Sequence, residues 1–124
     1  MSIEYFKPAV STAGTDTIQL LATSPIAAYD LVNIDGTVAD SAVVAKRNKA
    51  VGIAIAAIAA GFFGTVQTFG EITNPAWTFT PGEIIYLNGT ALSGTAPATG
   101  FNQIIGQAKS ATILELNLKQ ATRY

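Results

Sequence analysis

The sequence contains no cysteine and no histidine. Without cysteine there is no disulfide framework, thiol nucleophile, iron–sulfur cluster or thiolate zinc site. Without histidine there is no Ser-His-Asp triad, no imidazole metal ligand and no side chain that ordinarily titrates near pH 7. Charge is scarce as well. Lys, Arg, Asp and Glu together make up 12% of 124 residues, Lys+Arg 7 against Asp+Glu 8, for a net charge of −1. About a quarter is usual for a soluble domain. A nucleic-acid binder needs a basic surface to displace counterions, and this chain has none. So little charge gives weak colloidal repulsion and suits a chain that works inside an assembly. A secretory signal is not visible at Met1-Ser2-Ile3-Glu4-Tyr5-Phe6-Lys7-Pro8. With Met1 beginning the sequence and no export signal, a complete chain made in the cytoplasm is expected. The longest apolar run, residues 50–63, is broken by Gly52 and Gly61 and falls short of the roughly 20 residues that span a bilayer.

What is present is apolar, small and alternating. Hydrophobic residues reach 49%, which excludes a disordered chain. The length suits one domain able to enclose a core. Val51, Ile53 and Ile55 alternate with Gly and Ala, which is a strand period. Strands are predicted at 17–22, 29–34, 51–56, 64–72, 83–87, 103–108 and 112–118. Turn signals separate them: Ser24-Pro25, Asp35-Gly36, Asn74-Pro75, Pro81-Gly82 and Asn88-Gly89. The segment 37–45 reads as strand or loop, 56–61 as loop or one helical turn, and 121–124 as a tail. Trp77 and Phe79, two apart, would point to one face of a strand. No stretch gives a convincing helix. Short strands at this spacing predict an all-β fold, a small barrel or sandwich of antiparallel strands. Residues 15–124 form that single β domain. Residues 1–14 lack a clear period and read as a flexible, extended N-terminal arm. It is either a frayed end or a segment that docks on a partner through Tyr5 and Phe6, with Lys7 and Pro8 beside them.

The domain is internally repeated. Leu31-Val32-Asn33-Ile34-Asp35-Gly36-Thr37 parallels Ile85-Tyr86-Leu87-Asn88-Gly89-Thr90. Some 15 residues after each comes Val51-Gly52-Ile53-Ala54 or Ile105-Gly106-Gln107-Ala108. A small-residue turn and an alternating strand, 65–69 or 112–118, then follow. Gly52 and Gly106 mark a bulge or a close backbone approach.

Residues that carry chemistry are few. Asp30, Asp35 and Asp40 lie five apart, unlike the alternate ligands of a calcium loop. Nothing marks a pair of glycosidase carboxylates, and no phosphate-binding glycine pattern is present. Gly61-Phe62-Phe63-Gly64 reads as a turn flanked by core aromatics. Lys46-Arg47-Asn48-Lys49 is a solvated loop or an electrostatic contact with an acidic surface through Lys46, Arg47 and Lys49. Trp77 and Phe79 are core residues or fill a subunit interface. The residues call for no enzyme, cofactor or metal.

The run Pro81-Gly82-Glu83-Ile84-Ile85-Tyr86-Leu87-Asn88-Gly89-Thr90-Ala91-Leu92, then Ile105-Gly106-Gln107-Ala108 and the strand 112–118, resembles the capsid decoration proteins of tailed bacteriophages, also called cement or head-stabilisation proteins. Val51-Gly52-Ile53-Ala54 and residues 64–70 match a similar upstream run, so the resemblance covers about residues 28–118. It implies a structural virion protein, made in the host cytoplasm, that sits on the outer capsid surface as a homotrimer. Its partners would be the major capsid protein and itself, with no nucleic acid and no membrane. In such proteins an extended N-terminal arm often clamps neighbouring capsomers. The alternative is a receptor- or glycan-binding module of a phage tail fibre, spike or head fibre.

Overall fold

A computed structural model describes residues 16–119 and 122–123. The chain runs through β1 (Asp16–Leu21), β2 (Leu31–Asn33), a single 3-10 turn (Val44–Lys46), β3 (Ala50–Ala54) and β4 (Phe63–Thr73). It continues through β5 (Ile84–Asn88), β6 (Ala91–Ser93), β7 (Phe101–Asn102), β8 (Ile104–Ala108), β9 (Ile113–Leu116) and β10 (Thr122–Arg123). Eight strands make one antiparallel sheet in the order β2-β3-β4-β9-β8-β5-β6, with β1 also paired to β4. The sheet curls into a nearly closed barrel, which leaves few strand edges open to stray pairing. The fold is all-β, as the alternation predicts. Among the described residues no helix is long and apolar enough to cross a membrane.

β4 holds the sheet together. Its 11 residues extend about 36 Å at the usual strand rise. Residues 63–69 pair with β1, and Val66 and Gln67 pair with Ala54 and Ile53 of β3. From Gly70 onward the strand changes partner, and Gly70 to Thr73 pair with Leu116 to Ile113 of β9.

The repeat in the sequence is a repeat in hydrogen-bond register. In the first unit Leu31, Val32 and Asn33 face Ile53, Gly52 and Ala50, with a bulge after Val32. In the second, Ile84, Ile85 and Tyr86 face Gln107, Gly106 and Ile104, with a bulge after Ile85. The third strands match as well: Ile53 faces Gln67 as Gln107 faces Glu115. At the entry to each unit the Ala54 amide donates to the Asp30 carbonyl (3.0 Å), and the Ala108 amide to the Glu83 carbonyl (2.9 Å).

Both glycines of the repeat are forced by close approach. A Cβ at Gly52 would lie 2.2 Å from the Gln67 carbonyl oxygen, and one at Gly106 would lie 2.0 Å from that of Glu115. No side chain fits there. The Pro81-Gly82 turn also has a counterpart that composition hides. Thr80 to Glu83 closes a turn with Gly82 at φ +88°, and Ala27 to Asp30 closes the same turn with Tyr29 at φ +70°. In each, the acid's carboxylate accepts the amide three residues back, Asp30 from Ala27 (2.9 Å) and Glu83 from Thr80 (2.8 Å).

Two cores result. The main one gathers Leu31, Ile53, Ile72, Ile85, Leu87, Phe101, Ile105, Leu114 and Leu116, with Ala39 and Ala108. The second lies on the other face of β2 and β3 and contains Leu20, Ala22, Ile26, Val32, Ala54, Ile58 and Val66. Successive residues of a strand point to opposite faces, so Leu31 serves one core and Val32 the other. Ser41, itself buried, ties three segments together. Its amide donates to the Gly89 carbonyl, its hydroxyl accepts the Gly89 amide (2.7 Å), and its carbonyl accepts the Phe101 amide.

Several local expectations change. Trp77 and Phe79 do not lie on a strand: residues 74–83 are irregular. Pro75 and Pro81 bracket them and cannot donate to a ladder, while the amides of Trp77 and Phe79 bond Asn74 and Ala111. The segment 37–45 is a loop with one bridge, Val38 to Val32, that enters the 3-10 turn. Residues 56–61 form a loop, the first of the two readings, with Ile58 bridged to Ile26. The tail contributes β10, which pairs with β7.

Candidate functional site

Tyr5, Phe6, Lys7 and Pro8, and the rest of the arm before residue 16, lie outside the described residues.

The basic loop leans toward a neighbouring turn. Lys46 ends the 3-10 turn and Arg47 caps it. The Lys46 ammonium donates to the Val38 carbonyl at 3.1 Å, and the Lys49 carbonyl accepts the Ile34 amide at 2.8 Å. Both lysines lie within electrostatic reach of Asp35. The Thr37 hydroxyl bond holds the Asp35 carboxyl below the usual aspartate range against opposing desolvation, with further help from the Thr37 amide and these two lysines. Arg47 and Lys49 remain exposed. Lys46 and Lys49 thus already balance an acid of the same subunit.

Trp77 and Phe79 come together with Tyr29. The Trp77 and Phe79 rings are 5.1 Å apart, and Tyr29 meets Trp77 edge-on at 5.5 Å. All three pack against the main core while keeping part of each ring outside. With Thr78, Glu83, Leu92 and Ser93, the two rings line an open groove of about 260 Å³. One Glu83 oxygen accepts the Thr80 amide, and the Glu83 carboxylate fills the space beside Gly94.

A larger depression of about 370 Å³ lies on the outer face of β4, β9, β8 and β5. Phe69, Ile84 and Ile104 form its apolar part, and Gln107, Glu115 and Asn117 its polar part. Lys109 and Glu71, at the margin of this sheet, are ion-paired and exposed.

Sequence reasoning misplaced one pair. Phe62 and Phe63 are largely exposed, where core aromatics were expected. The buried apolar side chain at this corner is Ile58, which covers Gly64 so closely that a Cβ there would sit 2.3 Å from it. The Ala-rich composition of 56–60 was the available signal: it offers no large residue but Ile58 to cover this corner.

Among the described residues no cluster of three or more acidic ligands is placed to hold a metal ion. No protein-family model, curated protein or solved structure matches this chain.

Proposed function

We propose that this protein is a structural component of a bacteriophage virion that binds the outer surface of the assembled capsid as a trimer and braces it by bridging neighbouring capsid proteins. The observation that carries the reading is the doubled β-unit. The segments that carry the resemblance, 51–54, 64–70, 81–92, 105–108 and 112–118, fall within the two units that, with β2, pair in matching register. The resemblance therefore rests on a coherent piece of architecture.

A brace of this kind works by area. Each subunit covers more than one capsid protein, so expansion or rupture of the shell must first break those contacts. A protein that binds only the intact shell shifts the equilibrium toward it by mass action. A trimer engages three equivalent sites at high effective concentration. In this reading the arm, with Tyr5, Phe6, Lys7 and Pro8, threads toward a neighbouring capsid protein. Lys46, Arg47 and Lys49 steer docking toward an acidic shell. No catalysis, cofactor, nucleic acid or membrane is needed.

One observation favours a second reading, a glycan-binding module of a fibre or spike. Trp77 and Phe79 offer partly exposed ring faces beside Glu83 and Ser93 in a groove, an arrangement suited to a sugar ring. One experiment separates the two. The purified chain is sedimented with capsids lacking it and, separately, applied to a glycan array. The brace reading expects co-sedimentation, greater resistance of the shells to heat, and weaker occupancy once residues 2–14 are deleted. Array binding that is lost in Trp77→Ala, with no capsid binding, would replace it with the second reading.

A further inference from the structure

The groove beside Trp77 and Phe79 holds a carboxylate with no cation to answer it. Glu83 is the only Lys, Arg, Asp or Glu between Glu71 and Lys109, and none of the residues lining the groove is basic. Among the described residues Lys109 and Glu71 form an ion pair, and Glu83 forms none. Closing its turn does not call for so long a side chain, since Asp30 closes the matching turn of the first unit with one methylene fewer. Among the described residues the Glu83 carboxylate is engaged at Oε1 alone, by the Thr80 amide (2.8 Å). Its Oε2 lies over Gly94, where a Cβ would come within 2.0 Å of it. A side chain at position 94 would push the carboxylate aside. The half-buried rings of Trp77 and Phe79 line the groove together with Leu92, and Tyr29 supports Trp77 edge-on.

We infer that this groove binds a quaternary ammonium group of the choline class, with Trp77 and Phe79 against its methyl groups and Glu83 Oε2 balancing its charge. The brace reading leaves the groove unused, so the inference goes beyond it. An aromatic ring attracts a cation to its surface, tryptophan most strongly, and a carboxylate beside two rings adds to the pull. The chemistry of the groove selects among cations. A guanidinium grips a carboxylate through two parallel bonds and needs both oxygens, but Oε1 is spent on Thr80. A primary ammonium is compact, strongly hydrated and asks for several acceptors. Beyond Glu83 the groove's polar side chains are the hydroxyls of Thr78 and Ser93, and that of Ser93 already accepts the Thr95 amide (3.0 Å). A quaternary ammonium needs no hydrogen bond at all. Its methyl groups pack on rings and on Leu92, and one free carboxylate oxygen meets its charge.

Trp77 is the only tryptophan of the chain, so its fluorescence reports on the groove directly. The full chain is titrated at constant ionic strength with choline chloride, with the uncharged tert-butyl analogue of choline, with butylammonium chloride and with neutral monosaccharides. Wild type is compared with Glu83→Gln, which keeps an oxygen for the Thr80 amide and removes the charge. Glu71→Gln, which removes an exposed carboxylate elsewhere, is the control. The expected result is a saturable response to choline in the millimolar range, about tenfold weaker in Glu83→Gln and for the uncharged analogue, and unchanged in Glu71→Gln. Strand content is read by far-UV circular dichroism. If Glu83→Gln misfolds, Gly94→Ala supplies the answer, because its methyl displaces the carboxylate and should weaken choline binding too. The inference is overturned by the lack of a saturable response, by equal binding of the uncharged analogue or of butylammonium, or by choline binding that survives loss of the Glu83 charge. A response to monosaccharides and none to choline overturns it in favour of the sugar reading. Capsid co-sedimentation is scored separately, so failure here leaves the brace reading standing.

Discussion

Asp35 shows how a single exposed residue feels its surroundings. Its carboxylate accepts the Thr37 hydroxyl and the Thr37 amide, with Lys46 and Lys49 nearby. These contacts favour the charged form, so its folded pKa lies below the unfolded value. The stabilisation is therefore fully present above the unfolded pKa of about 4 and is lost as pH falls through the folded value. Solvent screening keeps it to about 0.5 kcal/mol or less. Asp35→Asn should lower the melting temperature slightly at neutral pH, and the gap from wild type should close in acid. Thermal melts of the two proteins between pH 7 and pH 3 check this. A gap that widened toward low pH would contradict the sign. Tyr29 makes the opposite point. Its φ of +70° costs on the order of 1 kcal/mol relative to glycine, and the edge contact with Trp77 together with the amide bond to Ala54 (2.7 Å) holds it there.

At the scale of elements, the paired glycines of β3 and β8 sit where a neighbouring strand's backbone leaves no room for a side chain. Gly52→Ala and Gly106→Ala each force a methyl against a neighbouring strand's carbonyl, at a cost of about 3 kcal/mol each. Gly61→Ala meets nothing within 4 Å and bears only its backbone strain, about 1 kcal/mol. Urea midpoints of the three variants should rank accordingly. Equal midpoints would mean that the strands separate easily at these positions. This element-level architecture was largely legible in the sequence. Alternation and turn residues located most strands, and the paired Gly-containing runs announced the doubled unit. What was not legible depends on neighbours. Alternation cannot tell that Ile58 would be buried while Phe62 and Phe63 stay exposed, because that choice is made by packing across the corner. The positive φ of Tyr29 carried no sign in its residue type, whereas Gly82 advertised the same turn openly. Trp77 and Phe79 kept the two-residue spacing of a strand, yet they lie between Pro75 and Pro81, which cannot donate to a ladder, and no strand forms there. The partly exposed rings beside Glu83 became visible only once β6 was in place.

Across the whole molecule the two cores are not independent. β4 carries Val66 into one and Ile72 into the other, and Leu31–Val32 and Ile53–Ala54 place adjacent residues in both. Neither half can open without uncovering its neighbour. Unfolding should therefore be a single transition, with the fluorescence of Trp77 at the main core and far-UV circular dichroism changing together in denaturant. Separated curves would show that the second core melts on its own. The matched units differ in how they are used. Leu31 and Ile53 of the first are buried, while their counterparts in the second, Ile84 and Gln107, face solvent. Half of this fold, three short strands, is too small to shield its own apolar face. Holding the two units in one polypeptide makes their pairing independent of concentration. It also leaves the second unit's outward positions open to polar side chains such as Gln107, where the first must stay apolar at Ile53.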